Sequence, residues 1–147
     1  MYLKMLNIET VKDRERFAAI KNIRIKVFQE EQGVAAELEF DGLDNIAIQL
    51  LAYLDGKAVG TARIREINTT TAKIERLAIL PEARRKGIGK KLMQSALQVI
   101  DRQQKTTAIV HAQAYISQLY RQLGFEIVGE QFSEAGIAHV KMVKQLS

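Results

Sequence analysis

The sequence predicts an α+β domain: a mixed, mostly antiparallel sheet of six to seven strands with helices on both faces. Three observations carry this expectation. Asp55-Gly56 and residues 68–70 are turn signals between apolar, β-branched runs, which makes two successive antiparallel hairpins. Between residues 72 and 112 a strand, a helix and a second strand follow one another. Such a crossover is right-handed and makes its two strands parallel. Apolar side chains recur at helical spacing over residues 11–28 and 88–102, so each segment has one face to bury.

The elements follow in order. Residues 2–8 read as a short strand, and residues 11–28 as a helix whose face carries Phe17, Ile20, Ile23 and Val27. A loop runs through Asp44. Residues 47–54 are a strand, and residues 57–67 and 71–80 form the second hairpin. Gly60 inside a strand marks a bulge, a close backbone approach or plain tolerance. Residues 88–102 are a helix burying Ile88, Leu92, Ala96, Val99 and Ile100. Residues 107–112 are a strand of small and β-branched side chains, and residues 115–123 a short helix stopped by Gly124. Residues 125–131 and 138–145 close the sheet. With one proline, no repeat and no linker, residues 1–147 form one domain.

Composition narrows the chemistry. The 147 residues are 47% hydrophobic and 27% charged, ordinary for a single soluble domain and wrong for a disordered chain. No apolar run approaches the roughly 20 residues that cross a bilayer, and no signal sequence opens the chain, so a cytoplasmic protein without membrane partners is expected. Without cysteine there is no disulfide, thiolate nucleophile or Cys-based metal site. His111 and His139 match no metal-ligand spacing, so no metal is expected. The net charge is +5, unevenly spread. Residues 84–91 hold five cations in eight positions, whereas no Lys or Arg falls between Lys26 and Lys57, where Glu30, Glu31, Glu37, Glu39, Asp41, Asp44 and Asp55 stand. One segment is suited to an anion and the other to a cation, or both are solvated faces.

Residues 81–91 carry the strongest chemistry. A strand ends, a basic turn follows, and Gly87-Ile88-Gly89 opens a helix, so backbone N–H groups and a helix dipole can converge on a phosphate. Gly87 and Gly89 are too close for a P-loop, and Leu92 stands where the dinucleotide fingerprint needs a small residue. A helix start decorated with surface cations is the competing reading.

Arg84-x-x-Gly87-x-Gly89, preceded by the strand Ile74-Glu75-Arg76-Leu77-Ala78-Ile79-Leu80-Pro81, resembles the acetyl-coenzyme A motif of GNAT N-acetyltransferases. Residues 117–125, with Tyr120 four positions before Gly124-Phe125, are similar to the family's helix and following strand. The stretch 24–32, Asp41 with Asp44, and Gly136-Ile137-Ala138-His139 resemble a small single-domain bacterial branch, which often has His where Gln49 stands and Pro where Ala138 stands. The resemblance spans essentially the whole chain. It implies a GNAT-like fold and N-acetyl transfer from acetyl-coenzyme A to a small amine or peptide. Separately from the resemblance, a homodimer could complete the cleft. The backbone of Leu77, Ala78 and Ile79 would pair with the pantetheine arm like an added strand. Arg84, Arg85, Lys86, Gly87, Ile88, Gly89 and Lys90 would hold the pyrophosphate through backbone N–H groups and charge.

Individual residues keep two readings. Tyr120 is either a packing aromatic or, as the resemblance implies, the acid that protonates the departing thiolate. Glu75, placed by strict alternation on the side of Leu77 and Ile79, is either paired with Arg63 or Arg65 or is the base, acting directly or through water. Arg24 and Glu31, two helical turns apart beside Val27 and Phe28, form a substrate-cleft wall or a buried ion pair. Gln113 and His139 could line that cleft, although a structural role suits His139 and His111. A non-catalytic acyl-coenzyme A sensor is the runner-up function. Nucleic-acid binding ranks below both, because nine aromatics and no recognition motif accompany the basic cluster.

Overall fold

A computed structural model describes residues 5–146. Its eight strands form one sheet in the order β1-β2-β3-β4-β5-β8-β6, with β7 pairing β8. The strands are β1 (Leu6–Val11), β2 (Ile48–Leu54), β3 (Lys57–Glu66), β4 (Thr71–Ile79), β5 (Thr107–Gln113), β6 (Glu126–Ile127), β7 (Phe132–Glu134) and β8 (Ile137–Gln145). Four α-helices accompany them: α1 (Arg14–Arg24), α2 (Ala36–Glu39), α3 (Ile88–Arg102) and α4 (Ser117–Gln122). Among the described residues only β4 and β5, joined through α3, are parallel. The mixed α+β sheet expected from the sequence is therefore present.

Apolar periodicity builds a core on each face. α3 buries Ile88, Leu92, Met93, Ala96 and Ile100 against Leu50, Ala62, Ile64, Ala72 and Ile74 of the sheet. On the opposite face Ile20 and Ile23 of α1 pack with Val27, Leu51, Ala78 and Leu80. Among the described residues no helix is long and apolar enough to cross a membrane.

Several boundaries differ from expectation, each for a local reason. β1 extends to Val11, because Leu6 to Val11 pair rung by rung with β2; residues 2–4 of the expected strand lie outside the described residues. α1 starts three residues later than expected because Asp13 caps it, its carboxylate accepting from Arg16 N at 2.8 Å. The helix then widens into a π-helical segment, Ile25–Glu31, and the expected loop contains α2 and a 3₁₀ turn at Asp44–Ile46. The expected strand 125–131 shrinks to β6, with Gly129 at φ 83° beyond it. The extra strand β7 arises from a tight hairpin, with Ala135 and Gly136 both at positive φ.

The decisive irregularity is in β4. Its ladder with β5 runs from Thr71↔Thr107 to Ile74↔Val110 and stops, although β4 stays paired with β3 to Ile79 and β5 with β8 to Gln113. The two central strands thus separate towards their carboxyl ends. At the same place Glu75 pairs with Arg63 but Ala78 with Thr61, so β4 carries one extra residue, and Arg76 sits at φ 57°. The bulge corrects the strict alternation expected of this strand. Glu75 and Ala78 share the α1 face, while Leu77 and Ile79 pack into the core beneath α3. Gly60 opposite Ile79 is a close approach: an added Cβ would lie 2.8 Å from Ile79 Cδ1 and 3.1 Å from Leu92 Cδ1.

Candidate active site

A cavity of about 310 Å³ fills the gap between the separating strands. Glu75, Arg76 and Leu77 line it from β4, His111 and Gln113 from β5, Tyr120 from α4, Glu134 and His139 from the β7–β8 hairpin, and Phe28 and Gln32 from the π-helical end. Gln113 Nε2 donates to Gln32 Oε1 at 2.9 Å, tying β5 to that helix end.

Beside the cavity the turn after β4 presents backbone donors. Arg85 at φ 62° and Gly87 at φ 78° curl it, and Gly87 begins α3 with no side-chain cap. The first N–H groups of a helix have no intrahelical acceptor, so those of Ile88, Gly89 and Lys90 remain available to an anion. The Ile88 side chain is buried, leaving only its backbone to face a ligand. At Gly89 an added Cβ would meet Leu119 and Ile79 only at ordinary contact distance, so no close approach within the chain requires glycine there. Arg84 Nε donates to Ile79 O at 3.0 Å, and its Nη1 and Nη2 grip the Glu31 carboxylate at 2.7 and 2.6 Å. That hydrogen bonding holds the Glu31 carboxyl below its usual range.

Under the sheet lies a buried ionic network. Fully buried Arg63 donates through Nη1 and Nη2 to Asp41 at 3.0 and 2.9 Å, to Asp44 Oδ1 at 3.2 Å, and closely to Glu75. Fully buried Arg24 donates to Glu39, to Asp44 Oδ1 at 2.6 Å and to Glu39 O at 3.1 Å, with Phe40 5.0 Å from its guanidinium carbon. Arg65 Nε holds Glu75 Oε1 at 2.9 Å, and Arg76 reaches Glu39 and Asp41 at 3.0 and 3.2 Å. Four carboxylates thus meet four guanidiniums. Arg63's hydrogen bonds hold Asp41 far below the usual carboxylate range. Burial alone would raise Glu75, but Arg63, with Lys73 and Arg65, offsets it and the net shift is downward. Burial prevails only at Glu39, whose carboxyl is raised. Gln49 Nε2 adds a bond to Asp44 at 3.0 Å, while Gln49 Oε1 and Arg63 Nε have no partner among the described residues.

Tyr120 is buried, edge-on to Phe125 at 6.1 Å, and burial pushes its phenol well above the ordinary value. At the hairpin bank His111 Nδ1 donates to Glu134 Oε1 at 3.1 Å, and His139 Nδ1 donates to Ile137 O at 2.7 Å. Among the described residues no group of three or more His, Asp or Glu is arranged to hold a metal ion.

The structure brings together Tyr120, Glu75, Leu77, Phe28, Gln113 and His139 on one cavity. It does not bring Arg24 or Glu31 there: Arg24 belongs to the buried network, because its stripe turns under α2, and Glu31 faces the basic turn. The two do not pair with each other. The acidic run 30–44 is not a free cation trap either, since Glu39, Asp41 and Asp44 are taken up by arginines. Sequence reasoning missed Gln32, Glu134 and a cavity-lining role for His111; Gly136, beside Glu134, was read only as part of the resemblance and not as a turn.

The family model described as an acetyltransferase (GNAT) domain matches residues 15–146. The uncharacterized protein YyaT of Bacillus subtilis is 34% identical over 145 residues, covering 97% of each chain. A crystal structure of an acyl-CoA N-acyltransferase from Pseudomonas aeruginosa superposes with a TM-score of 0.83 at 27% identity, over 97% of this chain and 99% of that one. A GNAT family acetyltransferase from Elizabethkingia anophelis, solved with acetyl-CoA bound, shares the fold with a TM-score of 0.77 at 15% identity, over 96% and 98% of the two chains.

Proposed function

The chain belongs to the GNAT acetyltransferase family and is an acyltransferase; from that premise we propose direct acetyl transfer from acetyl-CoA to an amine within a ternary complex. The acceptor is a small molecule or a peptide. One observation carries the reading: β4 leaves β5 after Ile74, exposing a strand edge next to an uncapped, cation-rich helix start.

The residues fit the donor substrate. The edge that β5 leaves at Leu77, Ala78 and Ile79, where Arg84 Nε occupies Ile79 O, is suited to an extended pantetheine arm, as in strand addition. The N–H groups of Gly87, Ile88, Gly89 and Lys90, with the charges of Arg84, Arg85 and Lys86, suit a pyrophosphate. Acetyl-CoA supplies the activated acyl group. An N–H at Leu77 or Ile79 would stabilise the developing oxyanion. Tyr120, kept protonated by its burial, would hand its proton to the departing thiolate. With its two oxygens held by arginines, Glu75 fixes Arg65 in the cavity lining and would act on the amine only through an ordered water. The absence of cysteine supports transfer without the commonest covalent carrier. Tyr120 on the cavity, beyond what binding needs, favours chemistry over a passive sensor.

Two measurements test this. Calorimetry should show saturable coenzyme A binding, and a screen of primary amines with acetyl-CoA should give thiol release above the amine-free rate. Absence of coenzyme A binding overturns the reading.

A further inference from the structure

Transfer to an ordinary amine needs a proton acceptor, since an alkylammonium with a pKa near 10.4 is charged at neutral pH. Glu75 is a poor one: Arg63 and Arg65 occupy its oxygens and lower its proton affinity. Glu39 and Asp41 are likewise bound to arginines, and Glu134 is taken up by His111 and His139. The imidazoles remain. His139 is almost fully buried, with Nδ1–H bound to Ile137 O and Nε2 3.6 Å from Glu134. His111 differs. It is partly exposed on the cavity, its Nδ1–H is committed to Glu134 Oε1 at 3.1 Å, and Phe132 meets its ring edge-on at 5.1 Å. A carboxylate on Nδ1 fixes the tautomer that leaves Nε2 as the basic nitrogen, and among the described residues Nε2 has no partner.

We propose that His111 is the general base for the acceptor amine and that Glu134 is its positioning residue. This rests on the acetyl-transfer reading above. His111 Nε2 takes one proton from the ammonium. The freed nitrogen lone pair forms the N–C bond to the acetyl carbonyl carbon, and the C–S bond breaks with its electron pair on sulfur. Sulfur receives the Tyr120 proton, and the remaining excess N–H proton returns through water to the phenolate. The His111 proton then passes to solvent. The charged groups around His111 are Glu134 from β7, Lys141 and His139 from β8, and, in the same cavity lining, Lys73, Glu75 and Arg76 from β4 and Arg65 from β3. Glu134 is the one that hydrogen-bonds it.

The test uses propylamine and hydroxylamine with acetyl-CoA, following thiol release. Propylamine is protonated at neutral pH and needs a base, whereas hydroxylamine is already neutral. In His111→Gln, kcat/KM for propylamine should fall by about 10²-fold or more, with hydroxylamine changed only a few-fold and coenzyme A affinity unchanged. In His111→Ala, added imidazole should restore part of the propylamine rate. Glu134→Ala should show the same selective loss, smaller in size. Equal loss with both amines, or none with propylamine, overturns the proposal. Failure of the wild type to bind coenzyme A, or to use either amine, strikes instead at the acetyl-transfer reading and takes the proposal with it.

Discussion

Glu75 and Ala78 lie on the same face of β4 although Arg76 and Leu77 separate them, and the positive φ of Arg76 makes this so. One inserted residue ends the pairing with β5, sends Glu75 into the arginine network and turns Leu77 and Ile79 towards α3. A left-handed conformation costs an L-residue roughly 1–2 kcal/mol.

Arg76→Gly and Arg76→Val both remove the guanidinium but differ in tolerance of that conformation. The valine variant should unfold at lower urea, by about 1–2 kcal/mol relative to the glycine variant, and bind coenzyme A more weakly. Equal stability of the two would mean the bulge is not strained.

Gly87 sits at φ 78° with nothing within 4 Å of an added Cβ, so a substitution there meets backbone strain but no clash. Gly87→Ala should therefore cost about 1 kcal/mol of stability and weaken coenzyme A binding modestly. Gly87→Glu adds a carboxylate to the anion cradle and should abolish calorimetrically detectable binding. Similar affinity in the two variants would remove the phosphate from this turn.

Removing Arg63 leaves Asp41, Asp44 and Glu75 short of a buried partner. Arg63→Met should destabilise by about 3–5 kcal/mol, measured by urea denaturation. Adding Glu75→Gln should recover part of the loss, because one uncompensated charge disappears. Additive losses would show that the two residues do not act as a pair.

The same network sets the response to acid. Asp41, Asp44 and Glu75, and outside the network Glu31 at the basic turn, have folded pKa values below the unfolded ones, so their contribution is present above the usual carboxylate range and lost as pH falls through the folded values. Glu39, raised by burial, runs the opposite way: its protonation favours the folded state as pH falls. With four groups against one, Tm should hold from pH 7 to about 5 and decline below about 4. Asp41→Asn should flatten the decline. A Tm that rises on acidification would contradict this assignment of charges.

Much of this was legible in the chain. The parallel β4–α3–β5 unit and the basic turn were readable because apolar periodicity and Gly-x-Gly are local signals. The bulge at Arg76 was not, since arginine carries no mark of a positive φ, and strict alternation put Glu75 on the wrong face. Arg24 and Glu31 looked like neighbours on one stripe, yet the π-helical turn and the crossing of α2 sent them to different partners. Long-range ion pairs such as Arg24–Asp44 and Arg63–Glu75 join residues whose proximity only the folded sheet creates.

Tyr120 is where packing and chemistry can be separated most cleanly. Its ring packs against Phe125 and is almost fully buried, so truncation to alanine would open a cavity and confuse the two roles. Tyr120→Phe keeps the ring and removes only the hydroxyl. As a general acid the hydroxyl contributes typically 10²–10⁴-fold, so turnover should fall by about that factor while coenzyme A affinity and Tm stay near wild type. The loss should also depend on the leaving group. A thioester that expels a more acidic thiol needs less protonation, so the gap between variant and wild type should narrow with such a donor. If Tyr120→Phe turns over normally with every amine that the wild type accepts, the phenol is a packing group and the thiolate departs unprotonated or takes its proton from water.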